Sequence, residues 1–369
     1  MRWSPVRVIV AIVAVLMIGF STAYVSSGEV RYLTRAGLEE TQILTERKPI
    51  AKVLRNPDLD PAVRSQLELV LQARDAAAGL GLEAEDTYTQ YTDVGRDTLL
   101  LVLSASPPDC LCPVTWKYPI VGRVPYKGFF DPKMARAAAE KLDDQGLDTY
   151  LRPSGAFSTL GWFNDPLLST ALGGDSVEIA ALVFHEVAHN TLYVKSATPF
   201  NETFAQMVGY RSAEAFFRGR GDSALAARAA DRWHDELVLA AFYDSLAARL
   251  DTLYASRPDS AALAAGRAEA GRWSREQLEG PVGAELRTIQ VGRMADRPVN
   301  NARLIAARIY RAHSAWFEEW YQLNGADIRL SVERLQPVVA GAEGDSAFAR
   351  LEAALRGGGE PVTSVGVTP

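Results

Sequence analysis

The sequence predicts an α+β fold that is mainly helical, with a small sheet packed against the helices. From Ser212 to about Ala270 the chain is rich in alanine and arginine and has few helix-breaking residues, which is typical of long helices. Residues 97–160 instead combine short apolar runs with proline and glycine, a pattern that favours strands joined by turns. At 369 residues, the chain is long enough to bury a sizeable core.

Local patterns place the individual elements along the chain. Helices are expected where apolar residues recur at helical spacing or follow a helix-start signal, namely over 30–78, 135–142, 175–192, from 198 onward and over 301–322. Strands are expected in short apolar runs bounded by proline or glycine, over 97–106 and 149–158, with broken strands over 118–130.

The first 28 residues are expected to be a signal peptide or a membrane anchor. An uninterrupted apolar run from Val8 to Phe20 comes after Arg2 and Arg7. Such a segment inserts with its positive flank in the cytoplasm and carries the downstream chain across the membrane. Extended to Val25, the run is just long enough to span a bilayer, so cleavage and anchoring both stay open. We therefore expect the rest of the chain to be extracytoplasmic, in the periplasm or anchored and facing outward.

Beyond this segment we expect one domain over residues 29–340 and a disordered tail over 341–369, where apolar periodicity is lacking. A net charge of −6 gives no reason to expect nucleic acid as a partner. Cys110 and Cys112 provide no disulfide framework. They would form a strained bridge at best, and a metal-binding pair would lack a second pair to complete a site.

The most informative motif is His185-Glu186-Val187-Ala188-His189. On a helix, residues i and i+4 lie on the same face, so both histidines can bind one Zn²⁺. The flanking residues make this helix apolar almost all round, and buried imidazoles need polar partners, which a metal supplies. Glu186 is expected to be the general base that takes a proton from the attacking water.

A catalytic zinc site needs a third protein ligand and an open position. Glu202 stands thirteen residues after His189, in the first turn of the next predicted helix. We expect it to complete a site for one zinc per chain, although it could instead merely favour its helix N-terminus. Tyr310 and His313 could reach the site as oxyanion donors, with structural roles as the alternative.

The chain resembles a bacterial family of predicted, zinc-dependent aminopeptidases over about residues 30–335. The resemblance rests on the segments 46–50, 116–122, 126–130, 157–168, 184–189, 200–205 and 300–302. It implies a zincin-like peptidase domain with His185, His189 and Glu202 as ligands and Glu186 as base. Family members typically have exported or lipid-anchored N-termini, and export agrees with the apolar segment here, whereas no cysteine directly follows that segment to carry a lipid. The family pattern has acidic residues where this chain has Ala197 and Gly209.

These patterns predict a zinc peptidase with a peptide substrate, which the resemblance makes an aminopeptidase. A zinc endopeptidase with the same site, or a non-catalytic membrane-tethered zinc-binding scaffold, are the alternatives. An aminopeptidase needs an anion for the substrate's α-ammonium group, and Asp165, Asp175 and Glu178 are the candidates. We expect the strand at 149–158 to pair with the substrate backbone. The segment after it would line a side-chain pocket, through Phe157, Trp162 and Asp165, although its aromatics could equally pack in the core.

Overall fold

The computed structural model describes residues 4–118, 122–155 and 166–357. The helices are α1 (Pro5–Ser26), α2 (Gly28–Glu46), α3 (Ile50–Val53), α4 (Pro61–Ala77), α5 (Pro132–Asp143), α6 (Ser176–Thr191), α7 (Thr198–Gly219), α8 (Ser223–Ala255), α9 (Ser260–Glu279), α10 (Pro281–Glu285), α11 (Asn301–Ile309), α12 (Ser314–Leu323), α13 (Ile328–Val339) and α14 (Ser346–Arg356). The strands are β1 (Lys48–Pro49), β2 (Gln90–Thr92), β3 (Leu100–Ser106), β4 (Trp116–Tyr118), β5 (Gly122–Val124), β6 (Lys127–Phe129), β7 (Asp148–Ser154) and β8 (Leu167–Leu168). The predicted α+β, mainly helical class is confirmed.

The strands form small sheets. The sheet that matters for the site has the order β6-β3-β7, with both pairings antiparallel and Val102 of β3 opposite Arg152 of β7. The central strand β3 is buried along most of its length, as its apolar sequence predicts. Within the described residues, β7 is therefore an edge strand of this sheet.

The largest core cluster surrounds α6 and α7. Val183, Phe184, Val187 and Ala188 of α6 are fully buried, which confirms that this helix is apolar almost all round. The two helices approach closely at Gly209, where a Cβ atom would lie 2.8 Å from the carbonyl oxygen of Ala181. Glycine is needed there because any side chain would push the helices apart.

A second framework, built from polar contacts, joins β7 to α11. Asp148 accepts hydrogen bonds from the guanidinium of Arg267 and from the backbone N–H of Asn301. The buried Asn301 side chain donates to the carbonyl oxygens of Pro107 and Cys110. Cys110 and Cys112 form a disulfide bond within this anchored loop.

The predicted helix over 301–322 is wrong in one respect, because it is broken into α11 and α12. His313, immediately before α12, has a left-handed backbone with φ of +52°. An α-helix cannot continue through that conformation. The break places Tyr310 at the end of α11.

The prediction of a disordered tail over 341–369 is wrong for residues 346–356, which form α14. Ala347 and Leu351 are fully buried, and Phe348 lies 5.2 Å from Phe200 between ring centroids. The apolar residues of this short segment share one helix face, which tertiary packing stabilises. Residues 358–369 lie outside the described residues.

Helix α1 projects an apolar surface from the N-terminus. Among the described residues, one helix, Val6–Ser26, is long and apolar enough to cross a membrane, and none of its most apolar window is buried. A signal sequence and a membrane anchor are both compatible with this helix.

Candidate metal centre

The two histidines of the motif are positioned by an uninterrupted α6. Asp175 begins the helix, because its carboxylate accepts hydrogen bonds from the backbone N–H groups of Val177 and Glu178. The helix then runs through the motif to Thr191. The rings of His185 and His189 consequently lie on one face, 4.9 Å apart between centroids and nearly perpendicular.

Glu202 is brought to the histidines by the tight connection between α6 and α7. The buried Asn201 side chain accepts a hydrogen bond from the N–H of Val194 and donates one to its carbonyl oxygen, which closes the loop. Glu202 then reaches both imidazoles. Its carboxylate oxygens lie 3.4 Å from Nε2 of His185 and 3.8 Å from Nε2 of His189.

This geometry fits a tetrahedral metal ion. At a zinc–ligand distance of about 2.1 Å, two ligand atoms lie about 3.4 Å apart. One ligand atom from each of His185, His189 and Glu202 can be chosen so that all three lie within 4.8 Å of one another. Two imidazole nitrogens and one carboxylate oxygen also match the donor set of catalytic zinc sites.

The surroundings of the two histidine rings differ. Gln206, one turn after Glu202 on α7, helps to raise the pKa of His185. A polar neighbour of this kind can support the ring orientation of a metal-ligating histidine. Nδ1 of His189 is buried and has no hydrogen-bond partner among the described residues.

The charge states of His189 and Glu202 also suit a metal. Burial alone lowers the pKa of His185, but the hydrogen bond with Glu202 and the charges of Glu186 and Glu202 outweigh it and raise that pKa. At His189, burial and the nearby charge of His185 lower the pKa to about 4. Burial raises the pKa of Glu202, but the contact with His185 outweighs it and lowers that pKa. At neutral pH His189 is neutral and Glu202 is ionised, the forms in which both ligate metals.

Tyrosines surround the centre. The Tyr310 ring lies 6.4 Å from the His185 ring between centroids. Burial and the charge of Glu202 raise the pKa values of both Tyr310 and Tyr126, so both hydroxyls remain protonated donors at neutral pH. His313 is not brought to the site, because it stacks on Trp316 at 3.9 Å and contacts Phe348.

Two of the predicted ammonium-binding anions are occupied elsewhere. Asp175 caps α6 and pairs with Arg228, and Glu178 pairs with Arg232. The third, Asp165, lies outside the described residues, as do the predicted pocket residues Phe157 and Trp162.

Ala197 and Gly209, the two positions where the resemblance leads us to expect acidic residues, are both packed inside the protein. Gly209 faces the backbone of α6, and its Cβ position would also lie 3.4 Å from Cβ of His185. Ala197 is buried in the core beside the start of α7. Both positions are buried.

Sequence reasoning missed two residues near the centre. Gln206 stands four residues after Glu202, so helical spacing alone could have placed it beside the ligands. Arg152 lies on the predicted strand, and its charge lowers the pKa of Glu202. The alternation of side chains along a strand could have predicted which face of β7 carries Arg152. Only the fold shows that this face is turned toward the centre.

The fold and the site define a mainly helical α+β protein with a His–His–Glu cluster suited to a divalent metal. The family model described as "Putative aminopeptidase" matches residues 31–343, and the chain belongs to this family. Comparisons with curated proteins and with solved structures gave no match.

Proposed function

We propose that this protein is a zinc-dependent peptidase with a zincin-like site, acting as an aminopeptidase outside the cytoplasm. The observation that carries the proposal is the convergence of His185, His189 and Glu202 from two helices onto one point, with Glu186 beside the first ligand. Membership of an aminopeptidase family supports the reaction class.

His185, His189 and Glu202 would hold one zinc ion per chain. When bound, zinc supplies Lewis-acid chemistry, which lowers the pKa of a coordinated water and polarises a carbonyl group. Three protein ligands leave a fourth position for substrate or water, unlike a structural site, in which four protein ligands close the shell.

Glu186 acts as the general base and then as the general acid. It stands next to His185 on α6, and its charge acts on both His185 and Tyr310, which supports this role. The carboxylate takes a proton from the attacking water and delivers it to the leaving amine. The protonated hydroxyls of Tyr310 and Tyr126 are suited to donate hydrogen bonds to the developing oxyanion.

The edge strand β7 supports a role in binding extended peptides. A peptide can add to an open sheet edge through main-chain hydrogen bonds. Arg152 of β7 affects the pKa of Glu202, so the strand passes close to the ligands. The apolar helix α1 supports export, with the site on the outer side of the membrane or in the periplasm.

The substitution Glu186→Gln tests the mechanism. The amide cannot accept the proton of the water, so we expect hydrolysis to fall about 10²- to 10⁴-fold while zinc content is unchanged. Peptide libraries with free and acetylated N-termini, digested by the zinc-loaded protein, provide the rates and separate an aminopeptidase from an endopeptidase.

The matched control is Glu276→Gln on the exposed surface of α9, which should leave the rates unchanged. Cleavage by the Glu186→Gln protein at the wild-type rate would show that another group is the base. A wild-type protein that binds zinc but cleaves no library member would favour the non-catalytic scaffold.

A further inference from the structure

One face of β7 is turned toward α11 and the metal centre. Side chains alternate along a strand, so Asp148, Tyr150 and Arg152 share one face. Leu151, on the opposite face, packs with the cluster that contains Ala135 of α5. The face that carries Arg152 is therefore directed away from α5.

The start of helix α11 contacts this face. Asp148 contacts the backbone N–H of Asn301 at the start of the helix, and the guanidinium of Arg303 lies 5.6 Å from the ring of Tyr150. From Asp148 to Arg152 the strand advances about 13 Å, and from Asn301 to Tyr310 the helix axis advances about 13.5 Å. Arg152 thus lies toward the end of α11 that is followed by Tyr310, whose ring lies 6.4 Å from that of His185 between centroids.

The charge distribution agrees with this placement. The positive charge of Arg152 acts on Tyr126, Glu202 and Tyr310, which come from three separate parts of the chain. The Arg152 guanidinium is therefore close enough to the candidate metal centre to act on the groups around it.

Arg152 differs from the arginines that hold the framework together. The half-buried Arg211, Arg267 and Arg311 each form an ion pair, with Glu318, Asp148 and Glu236 respectively. Among residues 4–118, 122–155 and 166–357, no carboxylate forms an ion pair with the partly buried Arg152. A partly buried guanidinium without an anionic partner is suited to bind an anion that arrives with the substrate.

We propose that Arg152 forms a subsite that binds a carboxylate of the peptide substrate next to the scissile bond. The proposal rests on the proposed peptidase function. With zinc, two neutral histidines and the carboxylates of Glu186 and Glu202, the centre is electrically neutral, and Arg152 leaves one positive charge for the substrate to neutralise. The carboxylate is either the free C-terminus of a short peptide or an acidic side chain.

Kinetics of the zinc-loaded full-length protein in detergent test the subsite. The probes are leucyl-alanine, leucyl-alanine amide and leucyl-glutamate α-amide, which differ in the presence and source of the carboxylate. For Arg152→Gln we expect KM for the preferred carboxylate-bearing probe to rise about 10- to 100-fold, with a smaller change in kcat and no change for leucyl-alanine amide. Arg152→Lys should restore part of the affinity.

Arg303→Gln is the matched control, because Arg303 lies along the same face but packs on Tyr150. A lower KM for leucyl-alanine would identify the C-terminal carboxylate as the group that binds Arg152. A lower KM for leucyl-glutamate α-amide would identify an acidic side chain as that group. Equal KM values for all three probes, or an acid preference that persists in Arg152→Gln, would overturn the proposal while leaving the peptidase function standing.

A binding measurement keeps the two proposals separable if no probe is cleaved. Zinc-loaded Glu186→Gln protein is then titrated calorimetrically with N-acetyl-leucyl-alanine, its amide and N-acetyl-leucyl-glutamate α-amide. Because this experiment measures binding, it tests the subsite independently of cleavage. Tighter binding of a carboxylate-bearing probe that Arg152→Gln abolishes supports the subsite even though peptidase activity has failed. No binding, or no preference for a carboxylate, contradicts it.

Discussion

Helices α6 and α7, the helix pair, face the same centre as strand β7 and helix α11, which together are called the wall here. The two regions are held in place by different forces. The helix pair is fixed by close apolar packing, with Phe204 fully buried and Gly209 against the backbone of α6. The wall is fixed by directional polar contacts, among them the Asp148–Arg267 ion pair and the hydrogen bonds of Asn301.

This difference matches what each side would contribute under the proposed function. Metal ligands must hold fixed distances, and a close-packed interior resists deformation. A surface that faces the substrate needs charged and polar groups. Hydrogen bonds to neighbouring residues fix the positions of such groups, and their remaining polar atoms can contact the substrate. We therefore expect damage to the helix pair to lower stability and metal binding together, and damage to the wall to affect substrate handling more than metal affinity.

The largest effect is expected for Phe204→Ala in the helix pair. Phe204 is fully buried and its ring lies 6.2 Å from that of Phe317. Because truncation leaves a cavity, the free energy of unfolding should fall by about 3–5 kcal/mol in denaturant titration. Leu323→Ala is the control, since Leu323 is 56% exposed and should change stability by about 0.5 kcal/mol at most. A Phe204→Ala protein as stable as the control would contradict the packing of α7.

An intermediate effect is expected for Asn301→Ala in the wall. The side chain is fully buried, donates to two carbonyl oxygens and accepts a hydrogen bond from Tyr254. Its loss should lower the free energy of unfolding by about 1–3 kcal/mol and raise KM, with zinc affinity nearly unchanged. Loss of zinc affinity equal to that seen with Phe204→Ala would remove the distinction between the two regions.

A destabilisation no larger than that of Asn301→Ala is expected for Gly209→Ala at the contact between α6 and α7. The added methyl group would lie 2.8 Å from the Ala181 carbonyl oxygen, so the helices must shift, at a cost of about 1–3 kcal/mol. Gly219→Ala at the other end of α7 meets nothing within 4 Å and should be neutral or stabilising by up to about 1 kcal/mol. If both changes prove neutral in thermal unfolding, the close helix approach is wrong.

The helix pair can be predicted from sequence because its signals are local. The i, i+4 spacing of His185 and His189 and the first-turn position of Glu202 are enough to predict which side chains converge. The strand over 149–158 is also predicted, and the structure places β7 at Asp148–Ser154.

The wall cannot be predicted because its contacts connect distant parts of the chain. Nothing local indicates that Asn301 bonds to Pro107, or that Asp148 bonds to Arg267. The break at His313 escapes prediction because no glycine or proline marks it. Helix α14 escapes because its stability comes from partners such as Phe200 and not from its own length.

Zinc stoichiometry in the wild-type and His189→Ala proteins, measured by atomic spectroscopy after dialysis, tests the metal centre most directly. We expect one zinc per wild-type chain and loss of tight binding in His189→Ala, since two ligands cannot hold a catalytic zinc ion. His234→Ala is the matched control, because His234 contacts the carbonyl oxygen of Glu285 on the protein surface. Full zinc content in His189→Ala, or none in the wild-type protein, would contradict the assignment of His185, His189 and Glu202 as the metal site.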